Sequence, residues 1–228
     1  MIAGMTSTID HLVIVAADLA QGVAWCEATL GITPGPGGEH KLFGTHNHLF
    51  KIATPTHPMA YCEIIAINPT AKREATSSPK RWFDMDDAAL QAAVAIEPRL
   101  VHFVVNTPDI QTARAALEVC GIDRGPARPA NRRTNKGLLQ WQITVREDGQ
   151  RLFNGMLPTL IQWGQPGDAE PMRLHPRNSL PRSRVTLQGI EATHPQAATL
   201  QAAYAAIGLQ GITARWKKNC SIQLTSII

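Results

Sequence analysis

The sequence has 228 residues, 44% hydrophobic and 18% charged, which is the composition of an ordinary globular protein with one large domain or two small ones. Its net charge of +4 is accompanied by only 5% aromatic residues, so we expect no nucleic-acid partner. With no apolar run of roughly 18 residues for a membrane span, no secretory signal and four widely spaced cysteines, we expect a cytoplasmic protein without a membrane partner.

The first predicted unit, residues 1–67, begins with an apolar strand that carries His11. Asp18 follows seven residues later and can cap a helix, because its side chain can accept hydrogen bonds from the first helical turn. Gly31 supplies the left-handed residue that ends the helix. Further strands are predicted over residues 44–52 and 59–67, with one weak strand allowed within 33–43. The order of elements is therefore β-α-β-β-β.

The second predicted unit, residues 99–164, repeats this pattern. Its first strand carries His102, Asp109 follows seven residues later, and its helix ends at Gly121. Further strands are predicted over residues 138–145 and 156–163. Two copies of one order of elements, with a histidine at the same place in each, indicate a duplicated domain with a site between the copies.

Three other segments surround the two units. Residues 68–98 are predicted to form a connector whose short helix has no counterpart in the second unit and flanks the duplicated core. Residues 165–184 are rich in Pro, Gly and Arg, which is typical of a linker. Residues 185–228 read as a partial third unit. No alignment of its helix end places a histidine at the position of His11, so this unit cannot supply that ligand.

Each full unit offers one polar residue on its first strand and one on its last. Glu63 is the only charge in an apolar strand, where an unpaired carboxylate would cost several kcal/mol. Gln162 is the lone polar residue at the comparable place in the second unit. Together with His11 and His102, these residues predict a site for a divalent ion such as zinc, nickel, manganese or iron. The alternatives are histidines hydrogen-bonded within the core, a buried salt bridge at Glu63, and a Gln162 that only lines the cavity.

A strand of alternating polar residues offers candidates for substrate contact. His46 and His48 share one face of this strand, while Thr45 and Asn47 share the other. Either face can line a cavity, and the alternative is an edge strand in water. We therefore keep His46, Asn47 and His48 as candidate substrate-binding residues.

A basic loop from residue 124 to residue 136 is the candidate for binding an anionic part of the substrate. Arg132 and Arg133 can act as a clamp for a carboxylate or phosphate, because the planar guanidinium makes bidentate contacts. The alternative is a solvated basic loop. Trp141 is either a core residue or a platform for the substrate.

Several segments carry a resemblance to a known family, and with the weaker third copy from Val185 this resemblance covers nearly the whole chain. They are Ile9–Val13, Gly44–Asn47, Tyr61–Ile65, Arg128–Pro129, Arg132–Arg133, Leu138–Trp141 and Leu157–Gly164. With the paired βαβββ units, they make the chain similar to glyoxalase-like domain proteins of the vicinal oxygen chelate superfamily. That superfamily includes glyoxalase I, extradiol dioxygenases, fosfomycin-resistance enzymes and methylmalonyl-CoA epimerase. The resemblance implies an α+β fold of paired βαβββ units in a curved sheet, with a C-terminal partial third copy. The family commonly has an acidic residue where this chain has Gln162.

The function expected from these residues is that of a metal-dependent isomerase, lyase or dioxygenase acting on a small oxygenated metabolite. The ion would hold two substrate oxygens and stabilise a developing enolate or alkoxide. His11 and His102 would be ligands, Glu63 a ligand or general base, and Gln162 a fourth ligand or a substrate contact. Two other hypotheses are a metal-free protein of the same fold that binds or sequesters a small molecule, and an interaction module whose third unit pairs with a second subunit in a homodimer.

Overall fold

The structure, a computed structural model, describes residues 5–72, 80–165 and 167–227. The first unit consists of β1 (Thr8–Val15), α1 (Leu19–Leu30), β2 (Gly35–His40), β3 (Thr45–Lys51) and β4 (Tyr61–Ile67). After α2 (Ala88–Ile96), the second unit consists of β5 (Arg99–Asn106), α3 (Ile110–Val119), β6 (Ala127–Thr134), β7 (Gly137–Thr144) and β8 (Thr159–Trp163). The third unit consists of β9 (Thr186–Thr193), α4 (Ala197–Ala206), β10 (Ile212–Arg215) and β11 (Ser221–Ile227).

The two full units form one eight-stranded sheet in the order β2-β3-β4-β1-β5-β8-β7-β6. Within the units, β1 runs parallel to β4 and β5 runs parallel to β8. The units join through the antiparallel pair β1 and β5. The sheet is curved and nearly closed. The two edge strands approach each other, and the side chain of Arg132 on β6 packs against the backbone of Gly38 on β2. The predicted α+β fold of paired βαβββ units is confirmed.

The helices α1 and α3 each begin at an aspartate that caps the first turn. Asp18 Oδ1 accepts a hydrogen bond from the backbone N–H of Gln21, and the Gln21 side chain accepts one in return from Ala17. Asp109 caps α3 in a similar way, accepting from the backbone of Gln111 and Thr112. These side chains satisfy backbone groups that a helix end leaves unpaired, which fixes where each helix starts.

The sheet carries a hydrophobic core on each face. On the outer face, residues such as Leu12 and Phe103 pack against the helices α1, α3 and α4. On the inner face, Val13 and Val104 pack against a different group of side chains. Part of that group comes from the connector before α2, namely Trp82, Phe83 and Met85. The connector therefore does more than flank the duplicated core, since it fills part of the inner face and approaches the candidate site.

The third unit forms a separate three-stranded sheet in the order β10-β9-β11. It is joined to the rest of the chain by hydrogen bonds from Leu187 N to Ile52 O (2.9 Å) and from the Tyr204 hydroxyl to Met156 O (2.5 Å). Leu200, Tyr204 and several other side chains of this unit are buried in the outer-face core. Within the described residues, no helix is long and apolar enough to cross a membrane.

Candidate active site

A cavity opens on the inner face of the sheet and has two parts. The inner part is small, about 40 Å³, and is lined by polar residues of the first unit and aromatic residues of the second. It adjoins an outer cleft of about 920 Å³. The side chains that border both parts are His40, Trp82, Arg132 and Trp141. They form a neck, so a bound molecule can place its reacting end inside while the remainder occupies the cleft.

Glu63 on β4 is the acidic group of the inner cavity. Its side chain is 4% exposed, and Oε1 accepts a hydrogen bond from Asn47 Nδ2 at 2.5 Å. Oε2 lies 3.6 Å from His11 Nε2, which is too long for a hydrogen bond, and it has no other polar partner in the described part of the chain. Burial raises the pKa of Glu63 above its ordinary value, although His11, Asn47 and Arg132 oppose that shift. A buried carboxyl with a raised pKa and a free oxygen is suited to proton transfer.

His11 stands beside Glu63 because of an irregularity in β1. The pairing of β1 with β5 shifts between Ile9 and His11, so Asp10 is an extra residue without a partner. Ile9 and Leu12 both pack in the outer-face core, and the two residues between them both point inward. Such a bulge breaks the alternation of a strand and brings adjacent side chains together. The Nδ1 atom of His11 lies 2.7 Å from Asp10 Oδ1, which leaves Nε2 facing Glu63.

Asp10 is fully buried, and its carboxylate accepts several hydrogen bonds. Besides His11, the Nε1–H of Trp163 (2.8 Å) and the Nε2 of His175 (3.1 Å) both contact Oδ2. Burial alone would raise the pKa of Asp10, but the attraction of His175 and His11 and their hydrogen bonds outweigh it and hold the pKa below its usual range. The carboxylate is therefore ionised. Neither Asp10 nor His175 is among the site residues predicted from the sequence, because strict alternation places Asp10 on the other face and His175 lies in an apparent linker.

His40 at the end of β2 is likewise not among the site residues predicted from the sequence, which indicates only one weak strand within residues 33–43. Its Nδ1 lies 3.0 Å from Thr45 Oγ1, and its Nε2 lies 3.4 Å from Asn47 Nδ2. Burial, the charge of Arg132 and nearby histidines lower the pKa of His40 to about 3. His40 is therefore neutral, and Nε2 is the hydrogen-bond acceptor for Asn47.

Arg132 on β6 is the cation at the neck of the cavity. Its side chain is partly buried, and it makes no hydrogen bond or ion pair with any residue that the structure describes. The guanidinium rests on Gly38, where a Cβ atom would collide with Nη1. An arginine with its donors free inside a cavity is suited to an anionic ligand. Arg133, by contrast, is exposed and borders only the outer cleft.

The structure does not bring His102 to the cavity. Both ring nitrogens of His102 are hydrogen-bonded, Nδ1 with Gly155 O at 2.9 Å and Nε2 with the backbone N–H of Thr159 at 3.1 Å. The ring of Phe83, which lines the cavity, lies 5.3 Å from the His102 ring. Burial and the charge of Arg124 lower the pKa of His102, so this histidine is a neutral core residue.

Gln162 also lies away from the cavity, and the strand register explains why. In the first unit Val13 pairs with Glu63, and in the second Val104 pairs with Thr159, so Thr159 is the counterpart of Glu63. Gln162 instead accepts a hydrogen bond from the backbone N–H of Ile110 at the start of α3 (2.9 Å). The second unit therefore has a hydroxyl where the first has a carboxylate, and the site is built unequally by the two copies.

The predicted substrate-binding residues divide between the two faces of the sheet. Asn47 and Trp141 line the inner cavity. His46 and His48 point to the other face of β3, where His48 Nδ1 lies 3.4 Å from Pro34 O. The alternation seen in the sequence is therefore real, and the face that lines the cavity is that of Asn47.

The predicted metal ligands do not fit a metal centre as a set. Only His11 and Glu63 of the four reach the cavity, while His102 and Gln162 are engaged elsewhere. Over residues 5–72, 80–165 and 167–227, no three His, Cys, Asp or Glu side chains are grouped so that they could hold a metal ion. A structural zinc site has four protein ligands and a catalytic one three, so two donors do not suffice.

Comparison with known proteins identifies the family. The family model for the glyoxalase-like domain matches residues 9–208. The chain belongs to this family. None of the curated proteins matches the glyoxalase-like chain.

Among solved structures, a hypothetical protein from Staphylococcus aureus is similar to this glyoxalase-like protein over 94% of this chain and 87% of its own, with 14% identity and a TM-score of 0.63. A methylmalonyl-CoA epimerase from Mycobacterium tuberculosis matches over 68% of this chain and 85% of its own, with 16% identity and a TM-score of 0.36. One from Streptomyces coelicolor, in complex with 2-nitronate-propionyl-CoA, matches over 70% and 95%, with 20% identity and a TM-score of 0.41. The first likeness shows the fold alone. Identities this low do not carry over a reaction.

Proposed function

We propose that this glyoxalase-like protein is an enzyme that moves a proton on a small oxygenated anion, with Glu63 as the acid–base group and Arg132 as the anion-binding group. The observation that carries the proposal is the free Oε2 atom of a buried Glu63 with a raised pKa, facing the same cavity as an unpaired arginine. Isomerisation and lyase reactions, both expected from the sequence, begin with such a proton transfer.

The chemistry follows from the placement of these side chains. Glu63 Oε2 takes a proton from a carbon next to a substrate carbonyl, and the electron pair of the broken C–H bond moves to the carbonyl oxygen. The guanidinium of Arg132 binds the anionic group and stabilises the negative charge that develops. Delivery of a proton to the opposite face of the same carbon by a second acid, while Glu63 keeps the proton it removed, gives the epimer, and delivery of the proton of Glu63 to a neighbouring atom gives an isomer.

The aromatic wall of the cavity keeps this proton transfer away from bulk water. Trp163, Trp141 and Phe83 line the inner cavity. Exclusion of water strengthens the interaction between Arg132 and an anion, because charges attract more strongly in a low dielectric. Exclusion of water also keeps the pKa of Glu63 raised, so that Glu63 can hold the proton that it removes from the substrate.

The proposal is tested by exchange of carbon-bound hydrogen with solvent. Pyruvate, oxaloacetate, glyceraldehyde and dihydroxyacetone are incubated with the protein in D₂O, and loss of the C–H signal next to the carbonyl is followed by proton NMR. We expect exchange above the buffer rate for at least one compound with a carboxylate. Glu63→Gln should lower the rate by roughly 10²–10⁴-fold.

The matched control is Glu39→Gln, which makes the same change at an exposed carboxylate that does not line the inner cavity. This variant should exchange like the wild type. Exchange that persists in Glu63→Gln would contradict the assignment of Glu63. Binding of these compounds without any exchange would favour the alternative, a protein that binds or sequesters a small molecule.

Metal dependence, which was predicted from the sequence, is addressed by the same assay. The protein is purified without chelator and without nickel affinity resin, and its metal content is measured by elemental mass spectrometry. Exchange that needs about one equivalent of zinc, nickel, manganese or iron, and that is lost when the metal is removed, would replace the metal-free mechanism. Exchange catalysed by protein that contains none of these metals would support the metal-free mechanism.

A further inference from the structure

The segment between β8 and β9, expected to be a linker, crosses the inner face and reaches the candidate site. We call residues 171–178 the strap. Met172 and Leu174 of the strap pack against the inner-face core, and Pro176 lines the inner cavity. Between them His175 is buried, 1% exposed, against the Asp10 carboxylate.

The hydrogen bonds of His175 define which nitrogen carries its proton. Nδ1 accepts from the backbone N–H of Arg177 at 3.2 Å, so Nε2 is the protonated nitrogen and donates to Asp10 Oδ2. Trp163 Nε1–H donates to the same oxygen. With both donors on Oδ2, the other oxygen, Oδ1, is directed at His11.

This arrangement also sets the tautomer of His11. A carboxylate can only accept a hydrogen bond, so the 2.7 Å contact with Asp10 Oδ1 requires the proton of His11 to be on Nδ1. Nε2 then faces Glu63 and the cavity, while the ring is held by stacking on Tyr61 at 4.7 Å. A carboxylate that fixes the tautomer and orientation of an imidazole is a recurrent feature of catalytic histidines.

The two copies differ at this place. The strand β5 has the same irregularity as β1, and its extra residue is Val101, which is therefore the counterpart of Asp10. In the second unit the histidine is buried, its neighbour is apolar, and the carboxylate is replaced by Thr159. Asp10, His11 and Glu63 thus occur together only in the unit that the strap covers.

We propose that His175 is a positioning residue: from the strap it holds the Asp10 carboxylate so that Asp10 fixes His11 with Nε2 presented to the cavity beside Glu63. An effect of His175 on catalysis rests on the proposed function, because Nε2 of His11 faces Glu63, but the positioning itself does not. His175 acts through Asp10 and His11 and does not line the inner cavity.

The test is the tautomer of His11, read from a long-range proton–nitrogen NMR spectrum of the protein labelled with ¹⁵N-histidine. His11 is one of eight histidines, and its signals are assigned by their loss in His11→Gln. In the wild type, His11 should carry its proton on Nδ1.

Two substitutions of similar size separate the contact with Asp10 from a general effect on folding. His175→Asn keeps an acceptor for the backbone of Arg177 but is too short to reach Asp10, whereas His175→Gln can place an N–H where Nε2 stood. We expect His175→Asn to convert His11 to a mixture of tautomers and His175→Gln to restore the wild-type form. If His175→Asn does not fold, His175→Leu replaces it with the same expected result. A His11 that keeps its Nδ1 proton in the Asn or Leu variant, or a Gln variant that behaves like the Asn variant, would overturn the proposal.

The outcome for His175 is independent of the outcome for Glu63. If no compound exchanges its hydrogen, the proposed function fails while the tautomer comparison still decides the role of His175. If exchange depends on Glu63 but the tautomer does not depend on His175, only the positioning role fails. When both hold, His175→Asn should lower kcat more than it changes KM, and His175→Gln should recover most of kcat.

Discussion

At the scale of the single residue, Glu63 is a group whose burial opposes its ionisation. A carboxyl whose pKa is raised on folding binds more protons in the folded than in the unfolded state. Its contribution to stability is therefore present at low pH and is lost as the pH rises from the ordinary pKa of glutamate through the higher folded-state pKa. We expect Glu63→Gln to raise the melting temperature at pH 8 and to lose this advantage at pH 4. Thermal unfolding at the two pH values checks this, and an equal melting temperature at pH 8 would contradict the raised pKa.

The amide in this variant preserves the hydrogen bond from Asn47, because the oxygen that accepts it is retained. Glu39→Gln is again the control, since it makes the same change at an exposed side chain. If Glu63 serves catalysis, the Glu63→Gln protein should be more stable at pH 8 and should exchange the hydrogen of the substrate with solvent more slowly.

At the scale of the element, the glycines of β2 allow the side chains of two site residues to approach the backbone of this strand. A Cβ at Gly38 would collide with the guanidinium of Arg132, and one at Gly37 would collide with the side chain of Asn47. At Gly35 the nearest atom, Leu49 O, would be 3.7 Å away, an ordinary contact.

We expect Gly38→Ala to displace Arg132 and weaken the binding of oxalate roughly tenfold or more, because a hydrogen bond to a charged group contributes about 1.5–3 kcal/mol. Titration followed by tryptophan fluorescence measures the Kd, with Gly35→Ala as the control, and equal affinities in the two variants would contradict this role of Gly38.

The same elements show what can be read from the sequence. The caps at Asp18 and Asp109, the period-two pattern of β1 and the repeat were enough to predict the paired units, because these signals are local. The bulge at Asp10 and the register that pairs Val104 with Thr159 depend on the neighbouring strand, so the sequence placed Asp10 on the wrong face and matched Gln162 with Glu63. The position of His175 depends on contacts that span 165 residues of chain, for which the Pro- and Arg-rich linker carries no signal.

At the scale of the whole molecule, the third unit completes the core of the other two. Leu200 and Tyr204 are at most 1% exposed, and Leu187 and Ile207 are similarly buried among outer-face residues of the first two units. Burial of each such side chain contributes about 1.5–3 kcal/mol, while a typical domain is stable by only about 5–15 kcal/mol. We therefore expect a chain that ends at Arg184 to lose its cooperative thermal unfolding, measured by circular dichroism.

This expectation separates the third unit's role in the core from the hypothesis that it serves a homodimer. The interface hypothesis predicts that the shortened chain stays folded and elutes from size exclusion as a monomer, whereas the packing in the outer-face core predicts that it unfolds or aggregates. The milder variant Tyr204→Phe removes only the hydrogen bond to Met156 O and should cost about 0.5–1.5 kcal/mol without changing the oligomeric state. If the shortened chain is folded and unfolds cooperatively, the side chains of the third unit are not needed for the core. That result would favour the hypothesis that the third unit forms the interface of a homodimer.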